Sequence, residues 1–383
     1  MKIVLHKTNS IPDVLLCFFN IAFILSRIIY MPTLIANLLP AFCGLIAYLY
    51  VLINRSRGCL LSLLISFALS ASMFIGILVN GNCSMLDIIW IWAYMGIAML
   101  IYSFVINHKM ILFQYYTFVL YLLINVFNNV EAREILSIGS ENNISVYLIF
   151  IISLYFFMKD KNDEKSILKI DVLALVLGTL LSVWTASRAG VLSFGVLIVL
   201  IAAYNMIENK KPFRTIFLIL LVLIMLFVSL DKYVITFFDT FQSKVQNYGS
   251  TSIRIQIWND YLSSATDSLS SFLLGPPTTD SNYHWLAFYG GNPHNSFIGL
   301  HARYGLLPFI FIVFILISGL RLLMKNKRFF SAISVVVLIT RSMFDWTSFP
   351  GIYDVVFYLV ILIYITRNRY SHKEYVSDVK DVV

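Results

Sequence analysis

Four side chains near the ends of apolar runs have the right types for chemistry: Arg188, Arg254, His294 and Asn295. Arginine presents a planar fork that binds phosphate oxygens through two parallel hydrogen bonds and stays charged. Histidine is the side chain best suited to take a proton near neutral pH. Together these residue types indicate activation of a hydroxyl nucleophile beside a pyrophosphate leaving group, a reaction that needs no nucleotide.

Composition indicates where these residues lie. The chain of 383 residues is 59% hydrophobic and 13% charged, with a mean hydropathy of +0.83, whereas soluble domains carry about 25% charged residues. We therefore expect an all-α, polytopic membrane protein. The net charge of +8 is typical of basic residues in cytoplasmic loops, and we expect no nucleic-acid partner. The four cysteines exclude a disulfide framework and a cysteine-based zinc site, since three lie in or beside apolar runs.

About twelve apolar runs could cross a membrane, which takes about 20 residues each. No small-residue cleavage pattern follows the first run, so we expect that run to be retained as a span. The predicted spans lie near 14–31, 34–53, 60–79, 86–106, 111–127, 144–158, 167–184, 190–207, 214–231, 296–320, 329–345 and 351–366.

The basic residues orient these spans. With an even number of spans both termini lie on one side, and most of the 28 lysines and arginines then fall in segments on that side. Because basic residues concentrate in cytoplasmic loops, we expect both termini in the cytoplasm. The segments on the other side hold Arg133, Arg188, Lys232, Lys244 and Arg254.

We expect a single transmembrane domain over 1–383 with one long outer loop, 232–295, between spans nine and ten. A connection this long is usually functional. We predict two short helices in it, "YVITFFDTFQSKVQNY" on the membrane surface and "SIRIQIWNDYLSSA" after a capping serine. In this topology Arg188, Arg254 and His294 all face the same outer interface.

Each candidate also has a structural alternative. Arg188 could reach toward lipid headgroups, and Arg254 could be a solvated charge on a helix. His294 could belong to a helix cap, although Asn295 is the better cap by residue type. His301, which follows within the same apolar run, is expected to be a packed intramembrane histidine.

Charges inside the spans need partners of their own. An unpaired charge at bilayer depth costs about 2.5–3.5 kcal/mol on insertion scales. Arg303 should therefore face protein, water or an anion. Arg341 and Asp345 are four residues apart and can form a structural ion pair, while Arg27 lies near the outer end of the first span.

Three stretches share their residues with a known family: "SRAG" at 187–190, "SIRIQIWNDYL…LLGPP" at 252–277, and "PHNSFIGLHARYGLL" at 293–307. In these stretches the chain resembles the superfamily of bacterial O-antigen polymerases and O-antigen ligases. The likeness extends to the topology, about a dozen spans with one large periplasmic loop late in the sequence. Leu306 after Gly305, where ligases tend to have a small or hydroxyl residue, weighs against the ligase more than against the polymerase.

The resemblance implies an inverting, metal-independent glycosyl transfer on sugars linked to undecaprenyl pyrophosphate, without a cofactor. His294 would be the general base that deprotonates the acceptor hydroxyl. Arg188 and Arg254 would bind the donor pyrophosphate and stabilise its charge as it leaves. Further substrate contacts are expected from Asn295, Arg303, Arg341, Trp258, Trp285 and Tyr289, the three aromatic residues by stacking on sugar rings.

We therefore predict an O-antigen polymerase that joins lipid-linked repeat units at the periplasmic face of the bacterial inner membrane. Its partners would be membrane lipid, a chain-length regulator and the flippase of the same pathway. One alternative is the ligase, which transfers glycan from the same carrier to lipid A core or protein. Another is a flippase or transporter, but acidic residues are nearly absent from the spans and a flippase needs no base.

Overall fold

The computed structural model describes residues 10–56, 58–209 and 253–366, and these residues form helices joined by turns, with no strand among them. The all-α fold class expected from the composition is confirmed. Among the described helices, eight are long and apolar enough to cross a membrane. The chain is therefore a multi-pass membrane protein.

Nine helices lie within residues 10–56 and 58–209. Six predicted spans and the span at 190–207 correspond to long apolar helices, whereas the run at 167–184 forms a helix of only 16 residues. The helices are α1 (Ser10–Ile28), α2 (Thr33–Ile53), α3 (Cys59–Asn80), α4 (Met85–Ser103), α5 (His108–Phe127), α6 (Ala132–Ile135), α7 (Asn142–Lys161), α8 (Lys169–Trp184) and α9 (Arg188–Asn209).

The described residues after 252 form seven more helices. They are α10 (Ile253–Thr266), α11 (Leu269–Leu274), α12 (His284–Phe288), α13 (Ser296–Tyr304), α14 (Leu306–Lys325), α15 (Phe329–Ser342) and α16 (Asp354–Thr366). The helix predicted from "SIRIQIWNDYLSSA" is confirmed as α10. The predicted span at 214–231 and the predicted helix at 233–248 lie outside the described residues.

Two helices form the centre of the bundle. Helix α7 packs against α5, α8 and α15, and α16 packs between α4 and α14. Both are buried along most of their length, as expected for helices that are apolar on every side. Helices α2, α3 and α14 keep many large apolar side chains exposed, the surface that lipid covers in a membrane protein.

At the end of the bundle where α7 finishes, buried charges are paired. Lys159 is fully buried and its Nζ lies 2.5 Å from a carboxylate oxygen of Asp171, which also accepts a hydrogen bond of 2.6 Å from the hydroxyl of Tyr155. Arg328 forms an ion pair with Asp163 nearby. These pairs offset the cost of removing the charges from water.

The predicted tenth span, 296–320, is wrong in its boundaries, because the chain breaks at Gly305 into α13 and α14. Gly305 has φ 82° and ψ 178°, a conformation essentially restricted to glycine. A Cβ there would lie 2.6 Å from the backbone oxygen of Leu273. His294 and Asn295 therefore precede a short helix of nine residues and do not begin a membrane span.

Asn82, in the connection between α3 and α4, stabilises the break at Gly305 through hydrogen bonds. Its side-chain nitrogen donates to the backbone oxygens of Pro276 (2.6 Å) and Ala302 (2.9 Å). Its side-chain oxygen accepts from the backbone nitrogen of Thr278 (2.9 Å) and from the Thr278 hydroxyl (3.1 Å). One amide thus ties the turn after α11 to the end of α13.

Gly305→Ala should destabilise the protein, because the substitution forces a Cβ into the glycine-only region at a cost of about 1–3 kcal/mol, before the clash with Leu273 is added. Gly195→Ala is the matched control, since a Cβ at Gly195 in α9 would meet nothing within 4 Å and alanine is the better helix former. Thermal unfolding of both variants in one detergent, followed by tryptophan fluorescence, tests this. Equal midpoints for the two variants would contradict the account of the break.

Candidate active site

The start of α13 is tied to the connection between α15 and α16, residues 343–353. Asn295 caps the helix, because its side-chain oxygen accepts a hydrogen bond of 2.9 Å from the backbone N–H of Phe297. The capping contact expected from the residue type of Asn295 is therefore present. The hydroxyl of Ser296 donates to the backbone oxygen of Asp345 at 2.8 Å, which holds the connection against the helix start.

His294 occupies a strained position directly before this cap. Its φ of 48° is left-handed, an uncommon backbone conformation for a residue with a Cβ. Its backbone nitrogen donates to the side-chain oxygen of Asn292 at 2.8 Å. Its ring is 27% exposed, with Nδ1 3.9 Å from Oδ1 of Asp345 and the Tyr289 ring edge-on at a centroid distance of 5.4 Å. A shift of about 1 Å would bring Nδ1 of His294 within hydrogen-bond distance of Oδ1 of Asp345.

Asp345 lies among positive charges. Burial alone would raise the pKa of this carboxyl, but the imidazole of His294, the guanidinium of Arg341, the backbone N–H of Trp346 and the charge of Arg254 together lower the pKa to about 2. The carboxylate is therefore ionised at neutral pH. Its contribution to stability is present above the usual pKa of about 3.9 and is lost as the pH falls through about 2.

Arg341 and Arg254 lie near this carboxylate, and Arg188 lies near Arg254. Burial lowers the pKa of Arg254, and the nearby charges of Arg341 and Arg188 lower it further, while Asp345 raises it. Arg254 comes from α10, Arg188 from the start of α9 and Arg341 from the end of α15. Arg188 and Arg341 thus both lie close enough to Arg254 to affect its charge. Like charges gathered in this way are typical of a site that binds an anion.

Arg341 is the most deeply buried of the three. Its side chain is completely buried, and its Nη2 lies 3.1 Å from Oδ2 of Asp345 and 3.5 Å from the backbone oxygen of Asn142. The ion pair predicted from the four-residue spacing is confirmed. Within the described part of the chain, Nε and Nη1 of Arg341 have no hydrogen-bond partner, so the guanidinium retains donors for a further acceptor.

Arg303 makes different contacts. Its guanidinium carbon lies 3.7 Å from the ring centroid of Trp346, a cation–π geometry. Its Nη1 is 3.7 Å from Oδ1 of Asp87, near the start of α4. Arg303 therefore joins α13 to α4 and to the 343–353 connection, which is a positioning role.

The loop aromatic residues lie on two short helices that pack together. Trp258 on α10 donates its indole N–H to the backbone oxygen of Pro293 at 2.9 Å, which tethers the residue before His294. Asp260, also on α10, accepts from the backbone nitrogen of Trp285 at 2.7 Å and so caps α12. Trp258 thus positions the chain at His294, whereas Trp285 on α12 is partly buried and packs against the apolar cluster of α10.

His301 is a packed residue, as expected. It is 8% exposed, its Nδ1 lies 2.5 Å from the hydroxyl of Tyr261, and its Nε2 lies 2.7 Å from the backbone oxygen of Phe272. Since a carbonyl only accepts, Nε2 donates to Phe272 and the tyrosine hydroxyl donates to Nδ1. Burial lowers the pKa of His301 despite the hydrogen bond to Phe272, so the ring is neutral and joins α10, α11 and α13.

Neither the approach of Asp345 to His294 nor the stacking of Trp346 on Arg303 was predicted. The sequence showed only Asp345 as the last residue of the predicted span 329–345, as the partner of Arg341, and Trp346 directly after it. No sequence pattern predicted the roles of Asp260 at α12 or of Asn82 at the break between α13 and α14. Within residues 10–56, 58–209 and 253–366, no group of three or more His, Cys, Asp or Glu side chains could hold a metal ion.

Comparison with known families agrees with the geometry. Residues 173–313 match a family model described as O-antigen ligase, and the resemblance expected from the three motifs is confirmed over this part of the chain. Members of that family are glycosyltransferase-like enzymes that act as ligases or polymerases. The match includes Arg188, Arg254 and His294, while Arg341 and Asp345 lie beyond it. No curated protein matches the chain.

The two histidines near α13 should respond differently to substitution. His301→Phe removes both hydrogen bonds of a buried ring and leaves the Tyr261 hydroxyl and the Phe272 carbonyl without this partner, at about 1–3 kcal/mol for each group. His294→Ala removes a ring that is partly exposed. Thermal unfolding should therefore give a clearly lower midpoint for His301→Phe than for His294→Ala. The reverse order would show that the structural roles are misassigned.

Proposed function

We propose that the protein is a glycosyltransferase that joins oligosaccharide repeat units linked to undecaprenyl pyrophosphate, an O-antigen polymerase. The observation that carries the proposal is the approach of His294 to Asp345, a carboxylate paired with the buried Arg341, with Arg254 also near it and Arg188 near Arg254. A hydroxyl nucleophile requires a base, and a pyrophosphate leaving group requires positive charge such as guanidinium groups provide. The family match supports the same class of reaction.

The arginines would bind the donor. Arg188 and Arg254 would contact the pyrophosphate oxygens. The charge of the buried Arg341 would add to the positive potential at the site. As the bond between the anomeric carbon and the pyrophosphate oxygen breaks, negative charge grows on the leaving group. Guanidinium groups that already face this oxygen stabilise the charge without reorganising.

His294 would activate the acceptor. Its Nδ1 faces the ionised Asp345, which leaves Nε2 to take the proton from the acceptor hydroxyl as the new glycosidic bond forms. Asp345 would orient the ring and stabilise the imidazolium. The proton then passes to solvent, and the polyprenyl pyrophosphate departs with the electron pair of the broken bond. Direct attack on the anomeric carbon inverts its configuration.

The membrane topology supports an extracytoplasmic reaction. With the termini in the cytoplasm, as the basic residues indicate, the candidate site and residues 253–295 would face the outer side of the bacterial inner membrane. The substrate carrier is a lipid, and a flippase and a chain-length regulator of the same pathway would supply repeat units and limit their number. The second candidate function is the ligase, because the matching family is described as O-antigen ligase.

Deletion of the gene in its host tests the proposal and separates the two candidates. With the surface glycan run as a ladder on a gel, the polymerase predicts a single repeat unit on the acceptor and no longer chains. The ligase instead predicts full-length glycan trapped on the lipid carrier and bare lipid core. Complementation with His294→Ala should fail to restore the ladder. An unchanged ladder after deletion would refute both candidates, and repeat units trapped on the cytoplasmic leaflet would favour a flippase.

Asp345→Asn should lower the rate of glycan transfer by about 10²–10⁴-fold, the usual contribution of a positioned acid–base system. Because Asp345 is ionised down to about pH 2, titration of this carboxyl should not limit the wild-type rate between about pH 4 and 9, and the deficit should be present at neutral pH. Asp345→Glu keeps the charge and should recover part of the activity. The substitution also unpairs Arg341, so thermal unfolding must accompany the assay. A deficit confined to acidic pH, or no rescue by Glu in a folded protein, would contradict the role of the carboxylate.

A further inference from the structure

An apolar groove lies between the short helix α11 and the first half of α14. Its volume is about 670 Å³, within the range of about 300–1,000 Å³ that ligand sites have. Leu273 and Leu274 of α11 form one wall, and α14 contributes side chains such as Leu307, Ile310 and Phe314 to the other. Among the described residues, every side chain that lines the groove is apolar, so the groove fits a hydrocarbon chain.

The groove is continuous with the surface of α14 that faces lipid. Leu307 is 80% exposed at the start of this helix, and Phe314, two turns further along, is 59% exposed. Because each residue advances a helix by about 1.5 Å, these two side chains lie about 10 Å apart along the axis. The groove therefore runs from the break at Gly305 along a membrane-spanning helix, on the side that lipid covers.

The outer face of α11 is also apolar. Leu269 is 74% exposed, and Phe272 and Leu273 are exposed as well. None of the six residues of α11 is charged. Apolar surface in water is unfavourable by about 25 cal/mol per Å², so these side chains are more stable in the leaflet at this end of the bundle than in water.

Helix α11 has hydrogen-bond partners from the protein at both its ends. Lipid offers no hydrogen bonds, so backbone groups in contact with it need such partners. The Ser268 side chain caps the start of the helix. The backbone oxygen of Phe272 accepts a hydrogen bond of 2.7 Å from Nε2 of His301, and that of Leu274 accepts one of 3.3 Å from the side-chain nitrogen of Asn80. Helix α11 can therefore face lipid with these groups paired.

The position of the groove favours a bilayer lipid over the lipid carrier of the substrate. The groove lies beyond the last residue of α13, whereas His294 precedes the start of this nine-residue helix. At about 1.5 Å per residue, α13 separates the two ends by about 13 Å. No charged side chain is among the described residues that line the groove, so nothing there would hold a pyrophosphate. A phospholipid chain needs no such partner, because its headgroup stays at the membrane surface.

We propose that the groove binds an acyl chain of a phospholipid from the surrounding bilayer, and that α11 lies in the same leaflet beside this chain. The inference goes beyond the proposed function and does not depend on it. Helix α11 contacts α13 through the hydrogen bond of His301 and through the backbone of Leu273 at Gly305. Bound lipid therefore stabilises the break between α13 and α14, since a ligand that binds only the folded protein raises its stability.

Photo-crosslinking in membranes of the host identifies the chain. The full-length protein carries p-benzoylphenylalanine in place of Phe311, which lines the groove, or in place of Leu269 on α11. After irradiation, the mass of the adduct should be that of a phospholipid at both positions. The same photoreactive residue in place of Asn282, an exposed position before α12, should give no lipid adduct. Polyprenyl adducts instead of phospholipid at Phe311, or no lipid adduct at Leu269, would overturn the proposal.

A titration of the purified protein in detergent separates a bound lipid from bulk lipid. The probe is palmitoyl-oleoyl phosphatidylglycerol, counted by native mass spectrometry. Leu307→Asn should weaken the binding of one lipid by at least about tenfold, the effect of losing one buried leucine contact. The same variant should lose the rise in unfolding midpoint that the lipid gives the wild type. Leu307→Ala, which keeps the position apolar, should have the smaller effect.

Ile317→Asn is the matched control, because Ile317 is an exposed residue of the same helix that does not line the groove. This variant should bind the lipid like the wild type. Equal lipid affinity of Leu307→Asn and the wild type, or no lipid retained by the wild type, would contradict a bound chain in the groove. Neither result would bear on glycan transfer, which the gene deletion tests separately.

Discussion

The ion pair between Arg341 and Asp345 is the interaction on which the candidate site depends. Arg341 is completely buried at the end of α15, and a buried charge is tolerated only where a partner offsets the cost of desolvation. Asp345 lies beyond the helix end, at 3.1 Å from Arg341 and 3.9 Å from His294. One carboxylate therefore stabilises the arginine and sets the surroundings of the histidine.

The fold holds that carboxylate in place by binding its connection to α13. The hydroxyl of Ser296 donates to the backbone oxygen of Asp345 and accepts from the backbone nitrogens of Thr347 and Ser348, at 2.9 and 3.1 Å. Farther along α13, the guanidinium of Arg303 stacks on the ring of Trp346 in the same connection. The proposed function requires catalytic groups positioned to within about 0.5 Å, and these contacts hold the start of α13, next to His294, against the segment that carries Asp345.

The sequence predicted much of this arrangement wherever a local rule applied. Hydropathy located most of the described membrane helices, and the four-residue spacing predicted the pair of Arg341 and Asp345. Prediction from the sequence failed where an unusual backbone conformation or a contact between distant residues determines the structure. The break at Gly305 lies inside a continuous apolar run, and the close approach of the Leu273 backbone, which requires a glycine there, is not visible in the sequence. The approach of Asp345 to His294 joins residues that are 51 positions apart in the chain, a contact that no sequence periodicity predicts.

Binding of a polyprenyl pyrophosphate to the purified protein tests the central claim most directly. In lipid nanodiscs, a fluorescent farnesyl pyrophosphate should bind the wild type saturably and bind His294→Ala with similar affinity, since the base touches the acceptor. Arg254→Gln should weaken binding by at least about tenfold, because a charge-assisted contact contributes about 1.5–3 kcal/mol. Equal affinity of the wild type and Arg254→Gln would contradict the claim that the arginines form the pyrophosphate site.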